Sequence, residues 1–240
     1  MKYKYIFFLI FICTNTLCYA QNYKIDYNYK ITAHHINLTT RLKSYLTGNG
    51  KTSIYEEDFM SGNHSTNDDN VLSIKTTENP IFYKNISKSI VTFNDHIRMK
   101  NFNIRDSIAG FEWKIVNETK TILGYSCQKA KLFFRGRNYE VYFTSQIPYS
   151  DGPVKFMGLP GMILEVNSNS PTYSYEIIAE KVELKNNSLQ IENPYSFKDV
   201  IPYGKFIEIY KKKYYEALGN ADQYGSGIME KGTQEIYITD

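Results

Sequence analysis

The chain has 240 residues, with 28 Lys and Arg against 25 Asp and Glu, a formal charge of +3 and 42% hydrophobic content. That length supports one sizeable core, and the near-neutral balance, with Lys211-Lys212-Lys213 as the one basic run, leaves no footprint for a nucleic-acid backbone. The 22 Tyr and 14 Phe favour pleated, half-buried surfaces, so the composition leans towards β.

Lys2 and Lys4 precede an apolar run over residues 6–12, and residues 17–20 close on Ala20. A charged head, a short apolar core and a small final residue make residues 1–20 a secretory signal peptide. Residues 21–240 are then a single β-rich domain, exported to the periplasm or to the outer membrane and beyond. The apolar run is shorter than the roughly 20 residues a bilayer span requires, and no transmembrane segment is expected in the mature chain. Ile12 and Leu17 are too bulky to precede a lipidated Cys13 or Cys18. Of the three cysteines only Cys127 then remains, so no intrachain disulfide is expected, and the lone thiol reads as a small buried side chain.

In chain order, residues 22–33 alternate Tyr23, Ile25, Tyr27, Tyr29 and Ile31 with polar residues, the period of a strand with one face buried. Residues 38–58 read as a hairpin about Gly48-Asn49-Gly50. Residues 61–70 lack any apolar residue and read as a loop. Short strands are expected over 81–84, 89–93 and 96–104, with Asn94-Asp95 turning the chain between the last two. Another strand over 111–116 carries the single Trp, linked onward by residues 117–120. A hairpin follows, with arms 126–135 and 139–144 and its turn at 136–138. Tyr139, Val141 and Phe143 share one of its faces, and Glu140, Tyr142 and Thr144 the other.

Residues 151–166, D-G-P-V-K-F-M-G-L-P-G-M-I-L-E-V, are the centre of the chain. Pro160-Gly161 suits a type II turn that launches a strand over 162–166. Residues 172–184 form a long strand, and 204–218 show helical spacing, with Gly219 as C-cap. Residues 234–239 read as a closing strand. The fold class is mainly β (α+β): a single curved, mostly antiparallel sheet or half-barrel, with one late helix packed against it.

Chemistry is sparse. His34 and His35 are adjacent, His64 lies in the polar loop and His96 among charges, so no metal-ligand spacing appears. There is no nucleophile elbow, phosphate loop or dinucleotide fingerprint, and no catalytic residue, metal or cofactor is assigned. Gly152, Pro153, Gly158, Leu159, Pro160 and Gly161 have backbone geometry as their evident value. Arg135 and Arg137 flank a turn as candidate anion or partner contacts. Trp113, Cys127 and Tyr142 are core candidates.

Four segments in order, W-K-I-V-N-E-T-K-T-I-L-G-Y-S-C-Q-K-A (113–130), F-R-G-R-N-Y (134–139), I-P-Y-S-D-G-P (147–153) and G-L-P-G-M-I-L-E-V (158–166), resemble the GLPGLI family of exported Bacteroidetes proteins. Met162 departs from the Leu of the name-giving motif, and Glu140-Val141-Tyr142 from a Trp common there. The resemblance implies secretion and a β-rich fold and brings no established activity. The expectation is a non-catalytic envelope module for an apolar ligand, a lipid or an acylated peptide. The alternatives are a scaffold gripping another envelope protein through the Gly/Pro loop, and a peptide-processing hydrolase.

Overall fold

Strict alternation builds the first strand of the computed structural model, which describes residues 22–66, 79–108, 110–220, 229–232 and 235–238. In β1 (Asn22–Ala33) Tyr23, Ile25, Tyr27 and Tyr29 are buried. The expected signal peptide lies outside the described residues. β1 pairs on one side with β2 (Leu38–Gly48), which leads through the Gly48-Asn49-Gly50 turn into β3 (Thr52–Thr66). Then come β4 (Ile81–Asn85), β5 (Ile90–Ile97) and β6 (Lys100–Ser107). A second series follows: β7 (Lys114–Ile122), β8 (Tyr125–Phe134), β9 (Arg137–Thr144), β10 (Met162–Asn169) and β11 (Tyr173–Lys185).

The two series form one sheet, in the order β12-β6-β5-β4-β3-β2-β1-β11-β10-β9-β8-β7, joined where β1 pairs with β11. Every pairing is antiparallel except that of β12 (Val200–Pro202) with β6. The α-helix, α1 (Tyr203–Gly219), buries Phe206, Tyr210, Tyr214 and Ala217. Lys211, Lys212 and Lys213 are exposed on its solvated face.

Several boundaries differ from the sequence reading, each for a local reason. Asn94 and Asp95 do not turn the chain. Asn94 accepts hydrogen bonds from the Ile81 amide and the Tyr195 hydroxyl, and Asp95 from Tyr237. These uses hold both residues inside β5, and the chain turns at Arg98, whose φ is 56°. Polar residues 61–66 extend β3 instead of forming a loop, because β2 offers Leu38–Arg41 as partners for Thr66–Asn63. Residues 117–120 are part of β7 rather than a link, with a register irregularity between Ile115 and Thr119.

The β8–β9 turn sits one residue earlier than expected. Arg135 (φ 46°) and Gly136 (φ 78°) give the two left-handed positions that a tight hairpin turn requires. Arg137 thereby becomes a strand residue on the same buried face as Tyr139, Val141 and Phe143. Gly219 is the last helical residue and not the cap. Asn220 ends the helix, its side chain donating to the Glu216 carbonyl at 2.7 Å. Residues 235–238 belong to no strand, although the Ile236 amide donates to the Arg135 carbonyl at 3.0 Å. Among the described residues no helix is long and apolar enough to cross a membrane.

Candidate functional site

The Gly/Pro stretch packs inwards. Asp151–Met157 are all buried, as are Leu159 and Gly161, while Gly158 and Pro160 reach the surface. The expected type II turn at Pro160-Gly161 is absent. The Gly161 amide instead donates to the Leu159 carbonyl at 2.8 Å, a three-residue γ-turn centred on Pro160. The same bond recurs from Tyr149 to Ile147 and from Asp151 to Tyr149, each at 2.8 Å. These tight reversals fold the stretch against β9 and β10. A Cβ at Gly161 would meet the Thr144 carbonyl oxygen at 2.1 Å, and one at Gly152 would meet Ile163 at 2.7 Å. Gly158 has φ 94° and lies under the edge of Trp113, whose indole donates to the Met157 carbonyl at 2.9 Å. Trp113 itself is half-buried at the edge of the core.

Beneath this loop lies an ion pair that the sequence reading missed. Lys84 of β4 and Asp151 are both fully buried, and their charged atoms lie 2.5 Å apart. Tyr23 donates to Asp151 at 2.7 Å, the Gly152 amide donates at 2.9 Å, and Lys84 also bonds the Gly152 carbonyl. Burial lowers the Lys84 pKa, against which Asp151 acts to keep the charge. Burial, then Asp151, pushes the Tyr23 hydroxyl well up. A signal was available: Lys84 is two residues from Phe82 in a strand, so period-2 parity puts both on one face.

The structure separates the two hairpin arginines. Arg135 forms a two-pronged bond with Asp106 of β6, at 2.7 and 2.8 Å, and a third bond to Glu235 at 2.9 Å. Lys155 donates to Glu235 at 2.9 Å and Tyr203 donates to it at 2.8 Å. Burial pushes the Glu235 carboxyl up, but Lys155 and Arg135 outweigh it and hold the group below its ordinary value. Arg135 is therefore used inside the fold. Arg137, 2% exposed, has no carboxylate partner among the described residues.

Cys127 and Tyr142 are buried as expected. Tyr142 sits on the opposite face of the hairpin from Tyr139, bonded to Glu118 and covered by Lys120 at 4.0 Å from its ring. Burial raises the Cys127 thiol to about 11, which leaves about one thiolate in a thousand at pH 8. An aromatic disulfide reagent at pH 8 is therefore expected to label native protein over hours and urea-unfolded protein within minutes. Equal rates would show the thiol to be accessible.

The histidines are dispersed. His34 and His35 lie in a 3-10 turn (His34–Ile36) after β1 and not in a strand. His34 bonds Ser174 at 2.6 Å and His35 faces Glu230 at 3.4 Å. His96 is exposed beside Asp95.

Two spaces remain. On the inner face a cavity of about 30 Å³ is lined by Tyr29, Tyr139, Phe156, Tyr175 and Ile177 among others. That is room for about two water molecules. Outside, a groove of about 490 Å³ runs between α1 and the β5–β6 turn. Ile97, Phe102 and Ile209 give it an apolar floor, with Arg98, Lys100 and Lys213 at its rim. Glu216 pairs with Lys213 there at 2.7 Å.

The profile of the family described as N-glycanase peptide, N-terminal domain, matches residues 47–203, which include the Gly/Pro stretch, Lys84 and both hairpin arginines. The chain belongs to that family. No curated protein matches the sequence. Among solved structures, PNGF-II in its C2 crystal form aligns with 80% of this chain at 18% identity and a TM-score of 0.51. Its P21 form aligns with the same share at 17% and 0.50. The chain spans about a third of PNGF-II, 32% and 34% of the two chains. At these identities the likeness is one of fold: this member of the N-glycanase N-terminal domain family shares the backbone arrangement of that region. LprF from Mycobacterium bovis aligns with 71% of this chain and 89% of its own at 8% identity and a TM-score of 0.28, too loose a likeness to argue from.

Proposed function

We propose that the chain is a non-catalytic binding module of the cell envelope that takes an apolar ligand, a lipid or an acylated peptide. The observation that carries this reading is the groove beside α1. Its volume of about 490 Å³ falls in the range of small-ligand sites, roughly 300–1,000 Å³. The inner face of the sheet, with a cavity of about 30 Å³, is filled by the protein's own rings. Three rim cations against Glu216 favour a ligand with an anionic head over its apolar body.

Export and an envelope location rest on the pattern of residues 1–20 and on the GLPGLI resemblance. The sheet in this reading is a curved half-barrel. β6 and β7 are ten strand steps apart in the sheet, about 48 Å if it were flat. The connection from Ser107 to Lys114 reaches about 25 Å at full extension. The Arg135–Asp106 bond also joins the β8–β9 turn to β6, near opposite ends of the strand order. Both favour a sheet whose ends approach each other.

Titration of the full chain with pyrene-labelled dodecanoate tests the groove. Ile209→Glu is expected to weaken binding by about tenfold, equivalent to about 1.4 kcal/mol, with the far-ultraviolet circular dichroism unchanged. Binding unaffected by the substitution would remove the groove as the site.

A further inference from the structure

Arg137 is 2% exposed, yet among the described residues its only hydrogen-bond acceptors are neutral. Nη1 donates to the Ser170 hydroxyl and to the Tyr173 carbonyl, each at 3.2 Å. Nε and Nη2 have no partner. Those two atoms form one edge of the guanidinium, the edge whose parallel N–H groups match the two oxygens of a carboxylate. The guanidinium carbon lies 4.9 Å from the centre of the Tyr175 ring, and the Tyr175 hydroxyl is likewise buried without a partner.

Chance burial is a poor account of this arrangement. An uncompensated cation inside a protein is strongly unfavourable, and buried donors are ordinarily satisfied. A water molecule would satisfy a donor and leave the charge uncompensated. A carboxylate answers both demands and fills both prongs of the fork. We propose that Arg137 anchors a buried carboxylate-binding site, with the Tyr175 hydroxyl as an additional donor. Tyr175, though not Arg137, also lines the inner cavity of about 30 Å³, so the ligand is small, with formate a better fit than acetate. Arg137 lies at the start of β9, beside the β10–β11 turn that carries Ser170 and the half-buried Tyr173, which places the site near one end of the sheet. This site is separate from the groove beside α1 and stands or falls independently of it.

Thermal unfolding of the full chain in rising acetate or formate, at constant ionic strength set with chloride, is the test. The midpoint of the wild-type protein is expected to rise with the logarithm of carboxylate concentration. At a hundredfold excess over Kd the rise is roughly 5–10 °C for a chain of this size. Arg137→Met is expected to abolish that dependence while keeping a midpoint in chloride at least equal to wild type, since it removes an unpaired buried charge. Tyr175→Phe, which removes one hydroxyl without a partner, folds and shows a smaller rise. An equal response to chloride, or the same acetate response in wild type and Arg137→Met, overturns the proposal. If Arg137→Met does not fold, a crystal structure of the wild-type chain in formate decides. A carboxylate on the Nε/Nη2 edge supports the site, and water or nothing there overturns it.

Discussion

Replacing Lys84 by methionine is expected to destabilise the chain by about 3–5 kcal/mol, the cost of leaving one member of a buried ion pair behind. Against a total stability of about 5–15 kcal/mol, that is a large fraction. The reason lies in the surroundings of Asp151. It is fully buried, and without Lys84 it keeps the Tyr23 hydroxyl and the Gly152 amide but no positive charge. Asp151→Asn is expected to cost less than Asp151→Ala, because the amide oxygen can still accept one of the two bonds, which Asp151 takes on different oxygens. The double variant Lys84→Met with Asp151→Asn is expected to fall well short of the sum of the two single losses, with a coupling energy of about 0.5–3 kcal/mol. Urea unfolding of the four proteins measures this. Simple additivity would mean that the two side chains do not act as a pair.

The second large effect is at Gly161. An alanine there would place its Cβ 2.1 Å from the Thr144 carbonyl oxygen and 2.6 Å from the carbonyl carbon, both backbone atoms of the adjoining β9 end. No side-chain rotation relieves that contact. The γ-turn about Pro160 leaves little slack to move the loop, since Ile147 and Asp151 also accept bonds from Met162 and Ile163. Gly161→Ala is therefore expected to cost at least about 2 kcal/mol, beyond the ordinary difference between the two residues. Gly204→Ala is the control. Gly204 lies in α1 with nothing within 4 Å of its would-be Cβ, and alanine there is expected to be neutral or to stabilise by up to about 1 kcal/mol. Chemical denaturation of both variants checks the contrast. A Gly161→Ala protein as stable as the Gly204→Ala protein would show that the loop moves aside freely.

Local patterns in the chain were readable where one residue's neighbours in sequence are also its neighbours in space. The alternation of β1, the Gly48-Asn49-Gly50 hairpin, the inward face of Tyr139, Val141 and Phe143, and the helix carrying Phe206, Tyr210 and Tyr214 were all legible in this way. Turn positions were less so, because a polar pair such as Asn94-Asp95 can be held in a strand by partners far away in sequence. Tyr195 and Tyr237 are such partners. The importance of Gly161 was legible; its reason, a carbonyl oxygen of β9, was not. Membership of the N-glycanase N-terminal domain family also lay outside the periodicities and turn signals, and came from the match over residues 47–203.

The two hairpin arginines show the division most sharply. As residue types either could grip an anion, and sequence spacing treats them alike. The turn at Arg135-Gly136 fixes their parity, sending Arg137 into the buried face and leaving Arg135 at the tip. Asp106 and Glu235, 29 and 100 residues away in sequence, then occupy Arg135. The period of a strand decides only which side chains share a face, because it follows from backbone geometry. Which charges meet across that face depends on the order in which twelve strands are laid together. So the sequence by itself determined the β-rich class, the hairpins, the late helix and the demand for glycine in the 151–161 loop. The tertiary structure alone decided that Lys84 pairs with Asp151, that Arg135 is satisfied within the fold, and that Arg137 is buried with two donors lacking an acceptor among the described residues.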